Sequence, residues 1–198
     1  MDFIKSILWP DGKTKLFTAG DQRWNVAWLP KTREAWYLYA DGYKKAADRL
    51  FESWRKNSFK PDYLIFPLVF LCRHYVELRL KELLQASSRL LQLPENWQCN
   101  HRVDNLWKTL RPLIRRICPD EPENDLDHVQ VLILEFAQQD PISMEFRYPQ
   151  NREGEAHLRD LECLDVESFY CGIQQLSAFL DSVSDGISNY LSDYQNIL

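Results

Sequence analysis

The sequence predicts an all-α protein: an antiparallel bundle of about five helices, with an irregular N-terminal segment and a long loop before the last helix. Three observations predict it. Apolar residues recur at three- and four-residue steps in five separate stretches, the signature of helices with one buried face. Six Gly stand against ten Pro, too few turn formers for a many-stranded fold. The stretches are joined by short connections rich in Pro, Asn and Asp, which favours antiparallel neighbours. At 198 residues the chain suits one substantial core, so residues 1–198 are expected to form a single domain.

Residues 1–31 show no period. Pro10-Asp11-Gly12 is a turn signal between Ile7-Leu8-Trp9 and Leu16-Phe17-Thr18, consistent with a small hairpin. The first helix is expected over 32–57, with Thr32 as its cap and Asn57-Ser58 as its end. Its stripe is Trp36, Tyr39, Tyr43, Ala46, Leu50 and Trp54. The second is expected over 62–91, capped by Asp62 and closed by Pro94. Pro67 lies near its start, where a missing N–H does least harm. Residues Ile65 to Cys72 are apolar all round, which predicts burial on every side, whereas His74 to Leu91 is charged and amphipathic.

A third helix is expected over 100–117, with Leu106, Leu110, Leu113 and Ile117 inward, a kink at Pro112 and a stop at Pro119. Acidic residues from Asp120 to Asp127 lead into a fourth over 125–138, where they suit the positive helix start. Val129, Leu132, Ile133 and Phe136 form its stripe. Residues 140–164 carry Pro141, Pro149 and Gly154 and read as a structured loop, a length that is often functional. The last helix, 165–193, repeats Phe169, Ile173, Leu176, Leu180, Val183, Ile187, Tyr190 and Tyr194. Trp36, Phe66, Phe70, Leu106, Phe136, Phe169, Ile173 and Leu180 are expected to share the core.

Composition excludes some function classes. The net charge of −5 does not suit a general nucleic-acid coat, although Lys108, Arg111, Arg115 and Arg116 could form a local basic patch on the third helix. The five cysteines form no CxxC pair and read as reduced thiols of a cytoplasmic protein. No segment is apolar enough to suggest a membrane span. No phosphate-binding Gly-rich loop, GxSxG or HExxH is present. Cys99 and His101 lack a second ligand pair, so no metal and no cofactor are expected.

Four segments carry candidate chemistry. Arg73, Glu77 and Lys81 stack on one helical face with His74 beside them, either an ion-pair ladder on a solvated face or a carboxylate-held His able to move a proton. His101 is expected in the first turn of the third helix, as a packing or capping group or as part of a site. Arg147, in Glu145-Phe146-Arg147-Tyr148, is expected in a short extended segment with its aromatics packed and the Arg turned away to pair with an acid. Arg152 and His157 could meet over one phosphate, the Arg holding charge and the His moving a proton, although Gly154 between them breaks helical geometry. If the polar groups find one another at the core's edge, Arg147 is expected to pair with Glu77.

The runs RHYVELRLKELL, HRVDNLW and FRYP, spanning roughly residues 62–149, resemble a group of bacterial and phage-associated helical proteins related to the HEPN superfamily. The resemblance implies a bundle of four or five helices, often a homodimer, and either a metal-independent endoribonuclease of defence or stress response or a non-catalytic binding domain. It would make Arg152 and His157 catalytic through their R-x4-H spacing; the chemistry of the other segments adds His74 as a catalytic candidate and Arg73, Glu77, His101 and Arg147 as binding candidates. The competing expectation is a non-enzymatic helical module whose partner is another protein.

Overall fold

The computed structural model describes residues 13–20, 23–29, 35–95 and 100–195, with side chains described up to residue 190. The chain divides into two compact units, Met1–Thr32 and Arg33–Leu198. In the first, Arg23–Asn25 forms one 3-10 turn. Leu16, Phe17 and Thr18 are not a strand, because an exposed two-stranded hairpin lacks a packed face to hold it. Their partner segment and the turn at Pro10 lie outside the described residues.

The second unit is all-helical: α1 (Trp36–Lys56), α2 (Ile65–Leu90), α3 (Val103–Ile117), α4 (Glu123–Gln139) and α5 (Val166–Gln195). No β-strand occurs among the described residues; the single β-bridge joins Gln150 and Ala156. Helix α2 packs against α1, α3 and α5, and α3 and α5 also meet α4.

Helix ends follow local chemistry. Asn57 terminates α1, and its side-chain carbonyl accepts the N–H of Phe59. Thr32, the expected cap of α1, lies outside the described residues. Asp62 does not cap α2: residues Asp62–Leu64 make a 3-10 turn that runs straight into the helix at Ile65. Pro67 falls in the first turn of α2, where it removes no helical hydrogen bond. Helix α3 runs through Pro112 as one assigned element and ends at Ile117, two residues before Pro119. Asp165 caps α5, accepting from both the N–H and the hydroxyl of Ser168.

The core forms from Leu68, Val76, Leu80 and Leu84 of α2, Leu106 and Leu110 of α3, Ile133 of α4, and Ile173, Leu176 and Leu180 of α5. Helix α2 departs from the expected burial pattern in two places. In its all-apolar start, Leu68, Val69 and Cys72 are buried as expected, but Phe66 in the first turn is 50% accessible. Its charged half is buried as well: Arg73, Glu77, Arg79 and Lys81 all lie inside. A helix packed against three neighbours has little solvated face to give them. In α1 the buried stripe is Ala40, Ala47, Phe51 and Trp54, with Trp36 and Tyr43 half-buried, whereas Tyr39 and Ala46 face solvent. Small alanines let α1 approach α2 closely, so the larger residues are not the ones fully enclosed.

The loop after α4 is turned rather than extended. Residues 145–147 form a turn in which the N–H groups of Arg147 and Tyr148 both reach the Met144 carbonyl. Asp140 organises it, its Oδ1 accepting from the N–H of Met144 at 2.6 Å and of Glu145 at 3.1 Å. A second tight turn over 150–156 is held by the Asn151 side chain and by Gly154 at φ +80°, a conformation that suits glycine.

Candidate functional site

Arg73 is fully enclosed and acts as a staple. Its Nε donates to the Asp140 carbonyl at 3.3 Å, and its Nη2 to the carbonyls of His101 at 2.9 Å and Pro141 at 3.4 Å. One guanidinium therefore fixes the segment entering α3 and the loop leaving α4 to the middle of α2. Its remaining amine meets Glu77 at 3.4 Å. Burial pulls the Arg73 pKa down, against the opposing charges of Glu77 and Asp140.

Glu77 is the hub of the cluster. Its Oε1 accepts from Lys81 Nζ at 2.9 Å and meets His101 Nδ1 at 2.9 Å, while Oε2 faces Arg73. Burial pushes the carboxyl up, but the hydrogen bonds from Lys81 and His101 and the charges of Lys81 and Arg73 outweigh it and hold Glu77 below the usual carboxylate range. The Arg73–Glu77–Lys81 ladder exists, but inside the protein rather than on a solvated face.

His101 lies just before α3, not in its first turn. Its side chain is 66% exposed, whereas that of Glu77 is 3% exposed. The carboxylate-held histidine of this cluster is thus His101 and not His74. His74 sits between rings instead, edge-on to Tyr43 at 4.4 Å and stacked with Phe70 at 5.8 Å. Burial lowers its pKa, with Glu77 working the other way and Arg73, Lys81 and Arg147 adding to the lowering.

Arg147 does not pair with Glu77, whose acceptors are already engaged. Its guanidinium lies over the rings of Phe70 at 5.4 Å and Tyr148 at 5.6 Å, and donates to the Ser143 carbonyl. The turn at 145–147 swings it onto Phe70 and leaves the residue exposed. Phe70 therefore joins His74 to Arg147, and Arg73 joins both loops to His101. The structure brings Arg73, His74, Glu77, His101 and Arg147 to one region of α2. Arg152 is exposed on the 150–156 turn and makes no hydrogen bond or ion pair among the described residues. His157 is engaged through Nδ1 by Glu145, so Arg152 and His157 do not form a bonded pair.

No protein-family model, curated protein or solved structure matches the chain. The geometry alone therefore defines the site.

Two side chains important to the site were not among its sequence candidates. Asp140 is fully buried, with one oxygen capping the loop and the other without a hydrogen-bond partner; its position before Pro141, at a helix end, is the turn signal that could have marked it. Phe70 has no polar signal, so its role as a shared ring was invisible. The expected basic patch on α3 is partly cancelled. Arg111 is paired with Glu123, Asp127 and Gln130, and Arg115 with Glu123. Among the described residues no three His, Cys, Asp or Glu gather as metal ligands, and no helix is long and apolar enough to cross a membrane.

Proposed function

We propose that the chain is a HEPN-like, cytoplasmic helical domain that binds RNA and cleaves it without a metal ion, in defence or stress response. One observation carries this reading: an exposed His101 ring whose Nδ1 is held by the buried Glu77 carboxylate. With Nδ1 occupied, Nε2 is the atom left to exchange a proton with a ligand, and the carboxylate orients the ring. Arg147 supplies an exposed cation for a phosphate, and Tyr148, half exposed beside it, offers a face for an unpaired base. Single-stranded RNA fits this better than duplex. Arg73 and Lys81 are too enclosed to touch a ligand; they position Glu77.

Within the same function, His157 with Glu145 is a second His–carboxylate pair, and Arg152 is free to hold a phosphate near it. The discriminating assay follows cleavage of single-stranded RNA by the parent and by His101→Ala, Glu77→Gln, His74→Ala, Arg152→Ala and His157→Ala, each with a melting curve. Loss of cleavage in His101→Ala at an unchanged melting temperature supports the assignment. Loss confined to Arg152→Ala and His157→Ala moves the centre to that pair. No cleavage by the parent retires the nuclease reading.

The second reading, a non-enzymatic module with a protein partner, is favoured by Tyr37, Leu38 and Tyr39, which lie exposed and adjacent on α1. A homodimer is part of the proposal. Most of the apolar repeat of α5 is spent inside the chain, and among the described side chains Tyr190 is its exposed end, so a dimer would use that end and not the whole stripe. Light scattering at tens of micromolar that shows only monomer would remove it.

A further inference from the structure

A cavity of about 340 Å³ opens between α4, α5 and the 140–164 loop, with Val69 of α2 also on its lining; neither Glu77 nor His101 lines it. Its walls are Leu132, Phe136, Phe146, Leu164, Phe169 and Ile173. Phe136 and Phe169 meet edge-on at 6.0 Å, and their rings line the space without filling it. A cavity of roughly 150 Å³ with such walls stays dry and takes a benzene-sized molecule, so this one has room for a ring with an alkyl chain.

Gly172 supports a role for the space. It sits inside α5, where glycine costs up to about 1 kcal/mol relative to alanine. Backbone crowding does not demand it: a Cβ there would meet only Leu132 Cδ2, at an ordinary 3.9 Å. Its missing side chain leaves this wall of the cavity open. The charges on the lining are all of one sign. Glu135 lines the cavity, is exposed and makes no hydrogen bond or ion pair among the described residues, Asp165 on the same lining caps α5, and no Lys, Arg or His lines the cavity. An apolar body with a single amine matches both features.

We propose that the cavity between α4, α5 and the 140–164 loop binds a small amphiphilic amine, its ring or branched alkyl body between Phe136, Phe146 and Phe169 and its ammonium group at Glu135. The site is independent of the RNA reading.

The test uses phenylbutylamine and phenylbutyrate, which share one apolar body and differ in charge, with calorimetry and melting curves on the full chain. The amine should bind the parent and raise its melting temperature, and the carboxylate should bind at least about tenfold more weakly. Gly172→Leu should abolish binding of the amine. Glu135→Lys alters only an exposed side chain, so it folds even if Gly172→Leu does not, and it should reverse the preference towards phenylbutyrate. No binding of the amine, equal binding of the two probes, an unchanged preference in Glu135→Lys, or undiminished binding by a folded Gly172→Leu would each overturn the proposal.

Discussion

Arg73 shows how a single buried charge can organise three segments. Its guanidinium satisfies the carbonyls of His101, Asp140 and Pro141. Removing one partner of such a network leaves uncompensated polar groups behind, at about 3–5 kcal/mol. Arg73→Ala is therefore expected to lose that much in urea unfolding, and a loss below about 1 kcal/mol, the value of a surface pair, would mean that water replaces the side chain. The titrating groups give a second expectation. His74 has its pKa lowered from 6.5 by burial, so the unfolded chain takes up its proton first, and stability falls as pH drops below 6.5. Glu77, held below 4.5, contributes stability that is complete above that value and is lost as pH falls through its folded pKa. Glu82, which burial raises, works in the opposite sense on acidification. The His74 share is isolated by difference: the stability gap between the parent and His74→Gln should narrow as pH falls below 6.5. A gap that stays constant from neutral to acid pH would show that His74 is solvated.

At the scale of elements, the apolar period located all five helices, because a stripe repeated over three or more turns is a redundant signal. It did not say how many faces a helix would bury. Helix α2 is enclosed by α1, α3 and α5, so its charged half, which reads as amphipathic, is interior and self-paired. Its apolar start reads as core and yet exposes Phe66. That distinction depends on neighbours, which no local pattern encodes. The site was legible to the same degree: Arg73, His74, Glu77, His101 and Arg147 were marked by their charge within apolar runs, but their pairings were not, since the turn at 145–147 decides where Arg147 points. The two positions Leu180 and Phe66 test the corrected picture. Leu180 is fully buried, and Leu180→Ala should cost roughly 2–5 kcal/mol through the cavity it leaves. Phe66→Ala should cost far less, because half of that side chain is already in water. Comparable losses in the two variants would restore the fully buried reading of the start of α2.

For the whole molecule, charge limits how RNA could be held. The net charge is −5, and two of the four α3 cations, Arg111 and Arg115, are engaged by α4 carboxylates. What the proposed site offers a phosphate is Arg147, joined by the exposed His101 ring. Each phosphate contact on a single strand contributes about −0.7 to the slope of log affinity against log salt. One to two contacts therefore predict a slope of about −1, and binding of a short single-stranded RNA followed by fluorescence anisotropy across a salt series would measure it. Arg147→Ala should flatten the slope by about 0.7. A slope of about −3 or steeper would need about four phosphate contacts, more than Arg147 and His101 supply, and would mean that the RNA also lies across the cations of α3. A measured slope near zero with binding retained would point instead to base stacking alone, on Tyr148, with no phosphate held at Arg147.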